Sequence, residues 1–317
     1  MIIINLILFG VFLIVLIKSA EYAIKFSSRL AKIFKFPEFV VSFFIIALIS
    51  VLPEAIISVI SAFKGEPELG LGTLLGSNVA DLTLVFGIVA LFASRNGVKV
   101  KSKILRDSFF YLTLLIFPLI LGFDGILSRK DGIILILLGS LFFFRIYSAS
   151  NKFHKKFNHT KKYPFIKTLL FLFFSLGAIL LSAFFTVKFA VNFANDAKLP
   201  SVLIGLTIIA IGTCLPELIF SIKAVRRNHD DLALGDILGT VVTDATIILG
   251  TVALISPFSY NPINIYTTGT AMFLAGVFAI VFMKSDKSIN KFEGLLLIFI
   301  YIAFIFIEFL INSVGIN

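Results

Sequence analysis

Two Pro-Glu pairs lie inside long apolar stretches of the sequence, where charged residues are rare. Pro53 precedes Glu54, and Pro216 precedes Glu217. A proline inside a helix has no N–H to donate, and its ring clashes with the carbonyl four residues earlier, so each helix is expected to kink or break. Unpaired carbonyls in apolar surroundings are tolerated where they line a cavity or contact a ligand. Each pair therefore predicts freed carbonyl oxygens beside a carboxylate.

Further oxygen atoms precede both glutamates. Ser50 and Thr213 lie one helical turn before them, and Ala47 and Ala210 lie about one turn earlier still. Residues spaced by about four positions share a helix face. Two carboxylates combined with backbone and hydroxyl oxygens form an all-oxygen site, which suits a hard cation such as Ca²⁺.

A second pair of acids follows each Pro-Glu pair. Ser77 with Asp81, and Thr240 with Asp244, lie four residues apart and share a helix face. Both pairs come just after two glycines spaced by four residues, which permit close helix packing and would bring the aspartates near the broken helices. A charge at the centre of a membrane helix costs about 2.5–3.5 kcal/mol on insertion scales. Four symmetric acids are therefore predicted to bind cations, protons or both.

These motifs belong to an internal duplication. The stretch 37–91 recurs as 200–254, and a constant shift of 163 residues aligns the two without a gap. From residue 35 to residue 91, 22 of 57 aligned pairs are identical, and they include both Pro-Glu pairs, both aspartates and three glycines. Hydrophobic composition alone would not place these polar residues in register.

Composition identifies a membrane protein. The 317 residues are 59% hydrophobic, with a mean hydropathy of +1.06, which is far outside the range of soluble domains. The single cysteine excludes an internal disulfide and a cysteine-based metal cluster. The net charge of +10 does not indicate nucleic acid as a partner, because the basic residues concentrate in loops between apolar runs.

A helix needs about 20 apolar residues to cross a bilayer core of roughly 30 Å. On this measure the chain contains ten spans, and the apolar amino-terminal stretch is the first of them rather than a cleaved signal peptide. The ten predicted spans are 2–22, 38–63, 69–93, 107–123, 131–149, 165–190, 200–223, 232–256, 263–283 and 292–313.

Basic residues alternate between the connections. The odd-numbered loops hold 23 Lys and Arg residues, whereas the remaining connections hold 5. The positive-inside rule then places the odd-numbered loops in the cytoplasm and both termini outside the cell membrane. Spans 1–5 and 6–10 start on opposite sides, so the fold is predicted to be all-α, with two inverted five-helix repeats at residues 1–149 and 165–317 and a cytoplasmic linker at 150–164. Inverted repeats with interrupted helices are typical of secondary transporters.

At these residues the chain resembles the calcium/cation antiporter superfamily, in particular its sodium/calcium exchanger branch. Both repeats of that family carry a Gly-Thr-Ser-x-Pro-Glu-like motif followed by Gly-Ser-Asn-x-x-Asp or a close variant. The matching stretches here are 49–54 with 76–81, and 212–217 with 239–244. Ten spans, external termini and a short cytoplasmic linker are also similar to the prokaryotic members.

The resemblance implies ligand roles for ten residues. The two Ca²⁺ carboxylates would be Glu54 and Glu217, completed by the backbone oxygens of Ser50 and Thr213. Flanking Na⁺ ligands would be the carbonyls of Ala47 and Ala210 and the hydroxyls of Ser77 and Thr240. Asp81 and Asp244 would face the central position.

The sequence departs from the family pattern at two kinds of position. The serine before Leu-Pro-Glu is Val51 in the first repeat and Cys214 in the second, so two hydroxyl ligands for Na⁺ are lost. Family members commonly have Asn at one central position, whereas both Asp81 and Asp244 are acidic here. The coupling ion is therefore predicted to be either Na⁺ or H⁺.

Three functions fit a buried acid cluster of this kind. The leading hypothesis is an antiporter, functional as a monomer, that exchanges Ca²⁺ for a monovalent cation by alternating access, with no enzymatic reaction and no cofactor. A passive cation channel would show flux without dependence on a counter-ion. An intramembrane aspartyl protease would use a Gly-Asp motif such as Gly235-Asp236, but it leaves the duplicated Pro-Glu pairs unexplained.

The predicted topology can be tested with single cysteines in a Cys214→Ser background. An impermeant thiol reagent added to intact cells should label Ile316→Cys near the carboxyl end and spare Lys156→Cys in the linker, because the linker is predicted to face the cytoplasm. Labelling of the linker position without labelling of the carboxyl end would overturn this topology.

Overall fold

The computed structural model describes residues 2–33, 47–93, 97–100, 108–150, 164–197, 201–260 and 262–313, and these are almost entirely helical. The predicted linker and the extreme carboxyl end fall almost wholly outside the described residues. The α-helices are α1 (Ile2–Ile33), α2 (Ala47–Ser50), α3 (Leu52–Phe63), α4 (Pro67–Ala80), α5 (Phe86–Phe92), α6 (Ser108–Leu121), α7 (Arg129–Ser150), α8 (Phe165–Ala197), α9 (Ser201–Ile204), α10 (Ala210–Thr213), α11 (Leu215–Val225), α12 (Asp230–Val242), α13 (Leu249–Ile255), α14 (Pro262–Ser285) and α15 (Lys291–Ser313).

Helical structure lies within each of the ten predicted spans, so the all-α expectation holds. Within the described residues, six helices are long and apolar enough to cross a membrane, and the number is seven if one bent pair counts as a single span. The chain is a multi-pass membrane protein. Helix α6 is apolar but shorter than a full span, with 14 residues.

Two helices extend beyond their predicted ends. The first was predicted to end at residue 22 but continues to Ile33, and α8 continues past residue 190 to Ala197. Hydropathy marks where a helix leaves the bilayer, whereas only Gly, Pro or a capping residue ends the helix itself. No Gly or Pro occurs between residues 11 and 33, and Lys18 bridges to Glu21 at 3.0 Å on the exposed face.

The predicted interruptions occur immediately before both Pro-Glu pairs. Helical geometry is interrupted at Val51, between α2 and α3, and at Cys214, between α10 and α11. The axis bends by 40° at the second interruption. Each proline then lies in the first turn of the following helix, where its missing N–H leaves no hydrogen bond unmade.

The carbonyls at these interruptions differ from the expectation in one respect. The Ala47 carbonyl was expected to be free, but it accepts the Val51 amide at 3.1 Å and the Ser50 hydroxyl at 3.2 Å. The Ala210 carbonyl likewise accepts the Cys214 amide at 3.1 Å. Proline removes only the amide of its own residue, so carbonyls farther back keep their helical partners.

Three π-helical segments interrupt the long helices, at π1 (Asp81–Val85), π2 (Gly205–Ile209) and π3 (Thr243–Ile248). The first begins at Asp81 and the last contains Asp244, the repeat partner of Asp81. Single π turns inside α-helices occur frequently at functional sites, because the extra residue redirects the side chains around it. Neither hydropathy nor residue spacing predicts these segments.

Helices from the two halves of the chain approach very closely. A Cβ atom at Gly76 on α4 would lie 2.6 Å from the Leu206 carbonyl oxygen of π2, and one at Gly205 would lie 2.6 Å from the Leu69 carbonyl oxygen. Only glycine allows backbones to pack at this distance. The contact holds the second copy of the motif against the first.

Two short antiparallel pairings add the only strands among the described residues. Strand β1 (Val98–Lys99) pairs with β4 (Ser288–Ile289), and β2 (Ile126–Leu127) pairs with β3 (Phe258–Ser259). Each pairing joins a connection in one half of the chain to a connection in the other. The two halves are thus tied together at two points outside the helices.

The close approach at Gly76 predicts a selective loss of stability. Gly76→Ala places its methyl against backbone atoms that cannot rotate away, and overpacking of this kind costs about 1–3 kcal/mol. The thermal midpoint of the detergent-purified protein should therefore fall. The control is Gly177→Ala, where nothing lies within 4 Å of the added methyl. Equal midpoints for the two variants would contradict the packing argument.

Candidate cation site

Five of the buried carboxylic acids lie close together, although four were predicted. Each is at most 1% exposed to solvent. The five acids are Glu54, Asp81, Glu217, Asp236 and Asp244. Burial of so many acids is costly unless a cation or a proton compensates their charge.

Glu54 lies near every other member of this group, called here the acid cluster. Its carboxyl lies close enough to repel those of Asp81, Glu217, Asp236 and Asp244. The acids come from both halves of the chain, on α3, π1, α11, α12 and π3. The tertiary fold therefore brings together all four sequence-predicted acids, as the repeat suggested.

Most oxygen atoms of the acid cluster have no hydrogen-bond partner among the described residues. The unpaired atoms are Glu54 Oε2, both Asp81 oxygens, both Glu217 oxygens, Asp236 Oδ2 and Asp244 Oδ1. Buried polar atoms are nearly always hydrogen-bonded in native proteins, so each exception requires an explanation. An array of unpaired carboxyl oxygens is what a cation-binding site requires.

The Ser50 hydroxyl joins three other oxygen atoms at the first interruption. It lies 3.1 Å from Asp236 Oδ1 and 3.2 Å from both Thr240 Oγ1 and the Ala47 carbonyl oxygen. All of these groups are buried. The contact links α2 to α12 and so joins the two halves of the chain directly.

The corresponding hydroxyls at the second interruption have different partners. Ser77 Oγ lies 3.3 Å from Asp244 Oδ2 and 3.0 Å from the Leu74 carbonyl oxygen. Thr213 donates within its own helix and also lies next to the Glu54 carboxyl. All ten sequence-predicted site residues are thus buried around the two interruptions.

Cys214 occupies one of the two positions where the family pattern has serine. Its thiol is 3% exposed and points to the Ser77 carbonyl oxygen at 3.6 Å. Val51, at the matching position, is 1% exposed and brings no polar side-chain atom to the site. The two repeats therefore present unequal chemistry at equivalent positions.

In the described part of the chain, no three His, Cys, Asp or Glu side chains converge closely enough to hold a metal ion by themselves. Any cation held here must also use neutral oxygens. The buried hydroxyls of Ser50, Thr213 and Thr240 are oxygens of this kind.

Asp236 was not among the sequence-predicted members of the site. It lies four residues before Thr240, on the same face of α12, and this spacing was the available signal. Its repeat partner is Thr73, so it lacked the symmetric acid that identified the other four.

The family model described as sodium/calcium exchanger protein matches two stretches of this chain, residues 4–147 and 167–310. Both ends of the second stretch lie 163 residues after those of the first, the interval of the internal repeat. Together the two stretches cover most of the chain.

Individual relatives resemble the chain along nearly its whole length. The sodium/calcium exchanger MaX1 of Methanosarcina acetivorans is 25% identical over 98% of this chain and 100% of its own. The inner membrane protein YrbG of Escherichia coli is 28% identical over 90% of both chains. A structure of the sodium-calcium exchanger NCX_Mj, soaked with Na⁺ and Sr²⁺, matches with a TM-score of 0.69 and 25% identity over 96% of this chain and 98% of its own.

Proposed function

The chain belongs to the sodium/calcium exchanger protein family, and from this premise we propose that it exchanges Ca²⁺ for Na⁺ or H⁺ across the cell membrane by alternating access. Members of this family are transporters rather than enzymes. The observation that carries the proposal is the acid cluster, whose unpaired oxygens surround Glu54 at two interrupted helices. The exchange requires no cofactor, since it involves no covalent chemistry.

Ca²⁺ is assigned to the position between the two interruptions. Glu54 and Glu217 supply its two formal negative charges, and the backbone oxygens of Ser50 and Thr213 complete the coordination. Ca²⁺ takes six to eight oxygen ligands, mixing carboxylates with carbonyls. Two carboxylates neutralise one divalent ion, which offsets the cost of holding it in a low-dielectric interior.

The monovalent ions are assigned to the two flanks of this position. Their ligands are neutral oxygens, namely the carbonyls of Ala47 and Ala210 and the hydroxyls of Ser77 and Thr240. In this assignment Asp81 and Asp244 face the central ion, and they hold protons whenever cations are too few to balance the charge. Protons then compete with Ca²⁺.

The architecture proposed for this exchange has ten membrane helices in two inverted repeats, residues 1–149 and 165–317, around a cytoplasmic linker at 150–164. The duplicated interruptions, the paired π segments and the matched stretches 163 residues apart support it. We place both termini outside the cell and take the monomer as the working unit, because both halves of the site lie in one chain. Alternating access then consists of rocking one set of helices against the other around a fixed site.

A passive cation channel would differ from this exchanger in whether Ca²⁺ uptake requires a counter-ion. Ca²⁺ uptake into proteoliposomes should require an opposing gradient of Na⁺ or H⁺ and should stop when neither is present. Uptake that persists without any counter-ion would replace the exchanger with a channel.

Removing one charge from the central position should abolish exchange. Glu54→Gln and Glu217→Gln each keep the side-chain shape but leave a single carboxylate for a divalent ion, so Ca²⁺ flux into proteoliposomes should fall to background. Glu308→Gln is the matched control, because Glu308 is 1% exposed yet bonded to Thr268 at 2.7 Å and is not one of the acids around Glu54. Near-normal transport by either site variant would refute the assignment.

Na⁺ coupling should be weak and should improve when the lost hydroxyls are restored. Val51→Ser and Cys214→Ser each return a hard oxygen ligand beside the interruptions, where valine offers none and a thiol is a poor ligand for Na⁺. Na⁺-driven Ca²⁺ flux should therefore increase in the double variant. Unchanged flux would show that these positions do not face the ion.

The same site should respond to pH. Several acids share few cations and titrate as a group, so bound protons displace Ca²⁺ as the medium becomes more acidic. Ca²⁺ uptake should fall steeply from about pH 8 to about pH 6, and Asp81→Asn should lessen this dependence while sparing Ca²⁺ binding. A wild-type protein indifferent to pH across this interval would contradict proton competition.

A further inference from the structure

The assigned ion positions account for every member of the acid cluster except Asp236. This residue lies on α12 and is 0% exposed. Its repeat partner in the first half is Thr73, whose hydroxyl donates to the Leu69 carbonyl at 2.8 Å within its own helix. The second repeat therefore contributes a charge that the first repeat does not.

Asp236 reaches across the halves to the first interruption. Its Oδ1 accepts from the Ser50 hydroxyl at 3.1 Å, although the two residues are 186 positions apart. Its other oxygen, Oδ2, is buried and has no hydrogen-bond partner among the described residues. Thr240 Oγ1 and the Ala47 carbonyl oxygen lie around the same Ser50 hydroxyl, each at 3.2 Å from it.

These four groups contain more lone pairs than protons. The Ser50 and Thr240 hydroxyls have one proton each, whereas the carboxylate and the carbonyl only accept. A cation placed among them would satisfy the lone pairs that the two protons leave over. The unpaired Oδ2 is an independent sign that a ligand is missing here.

The charge of this group of oxygens selects the kind of cation. One carboxylate with three neutral oxygens balances a single positive charge. A divalent ion would keep a net positive charge in a low-dielectric interior, which is unfavourable. The central position has two glutamates, so its charge balance favours a divalent ion. Charge balance therefore favours a monovalent ion beside Asp236 and a divalent ion beside the two glutamates.

On the basis of the exchange function proposed above, we propose that Asp236 is a direct, charged ligand of Na⁺, bound between α2 and α12 with Ser50, Thr240 and the Ala47 carbonyl. Asp236 thereby supplies to this flank a hard oxygen that partly replaces the hydroxyl absent at Val51. On the other flank it is Asp244 that lies against a hydroxyl, that of Ser77, at 3.3 Å. The acids that lie beside the hydroxyls of the two flanks, Asp236 and Asp244, are therefore not repeat partners.

The test uses the full-length protein in proteoliposomes and two measurements. Ca²⁺/Ca²⁺ exchange in choline medium reports the central position without Na⁺, and Na⁺-driven Ca²⁺ flux gives the half-saturating Na⁺ concentration. Asp236→Asn keeps the acceptor for Ser50 but removes the charge. It should raise the half-saturating Na⁺ concentration about tenfold, equivalent to about 1.4 kcal/mol, and change the half-saturating Ca²⁺ concentration of Ca²⁺/Ca²⁺ exchange by a smaller factor.

Two further variants serve as controls. Asp236→Glu keeps the charge and should retain more Na⁺ dependence than Asp236→Asn or Asp236→Thr, the last of which installs the residue of the other repeat. Thr73→Ser, at the repeat-equivalent position, should leave the half-saturating Na⁺ concentration unchanged. If Asp236→Asn does not fold, the comparison between the Glu and Thr variants decides the same question.

The outcomes separate this inference from the exchange function. A wild-type protein without any Ca²⁺/Ca²⁺ exchange would overturn the proposed function itself. Wild-type exchange that ignores Na⁺, or an Asp236→Asn variant with an unchanged half-saturating Na⁺ concentration, would overturn only the role of Asp236. An effect confined to Ca²⁺/Ca²⁺ exchange, or to the pH dependence of flux, would likewise show that Asp236 does not bind Na⁺.

Discussion

Five carboxyl groups are buried together around Glu54, and within the described residues seven of their oxygen atoms have no hydrogen-bond partner. Charges held at this depth are stable only when cations or protons balance them. The folded protein is therefore coupled to ion occupancy. Such a dependence suits the exchange proposed above, in which the ions that balance these charges are also the cargo.

The backbone around the acid cluster departs from regular α-helix at several of the acids. Helical geometry is interrupted at Val51 and Cys214, next to the glutamates, and the α-helices change to π-helix at Asp81 and around Asp244. The Ala47 carbonyl is shared between an amide and a hydroxyl. In the proposed exchange, a bound cation would replace the hydroxyl proton at this carbonyl and leave the helical hydrogen bond intact.

The two copies of the repeat contribute some identical residues and some different residues to the site. Both copies keep Pro-Glu and the following aspartate. They differ where Val51 aligns with Cys214 and where Thr73 aligns with Asp236. These differences change the polar atoms that the two repeats present at equivalent positions.

The sequence by itself determined the helical class, the two helix interruptions and four of the five acids, because hydropathy, proline chemistry and repeat register are local properties. Tertiary structure alone decided that Asp236 meets Ser50 across 186 residues. It also decided that Gly76 packs against the Leu206 backbone. Such contacts depend on how distant helices pack, and neither composition nor periodicity encodes the distance between two helices.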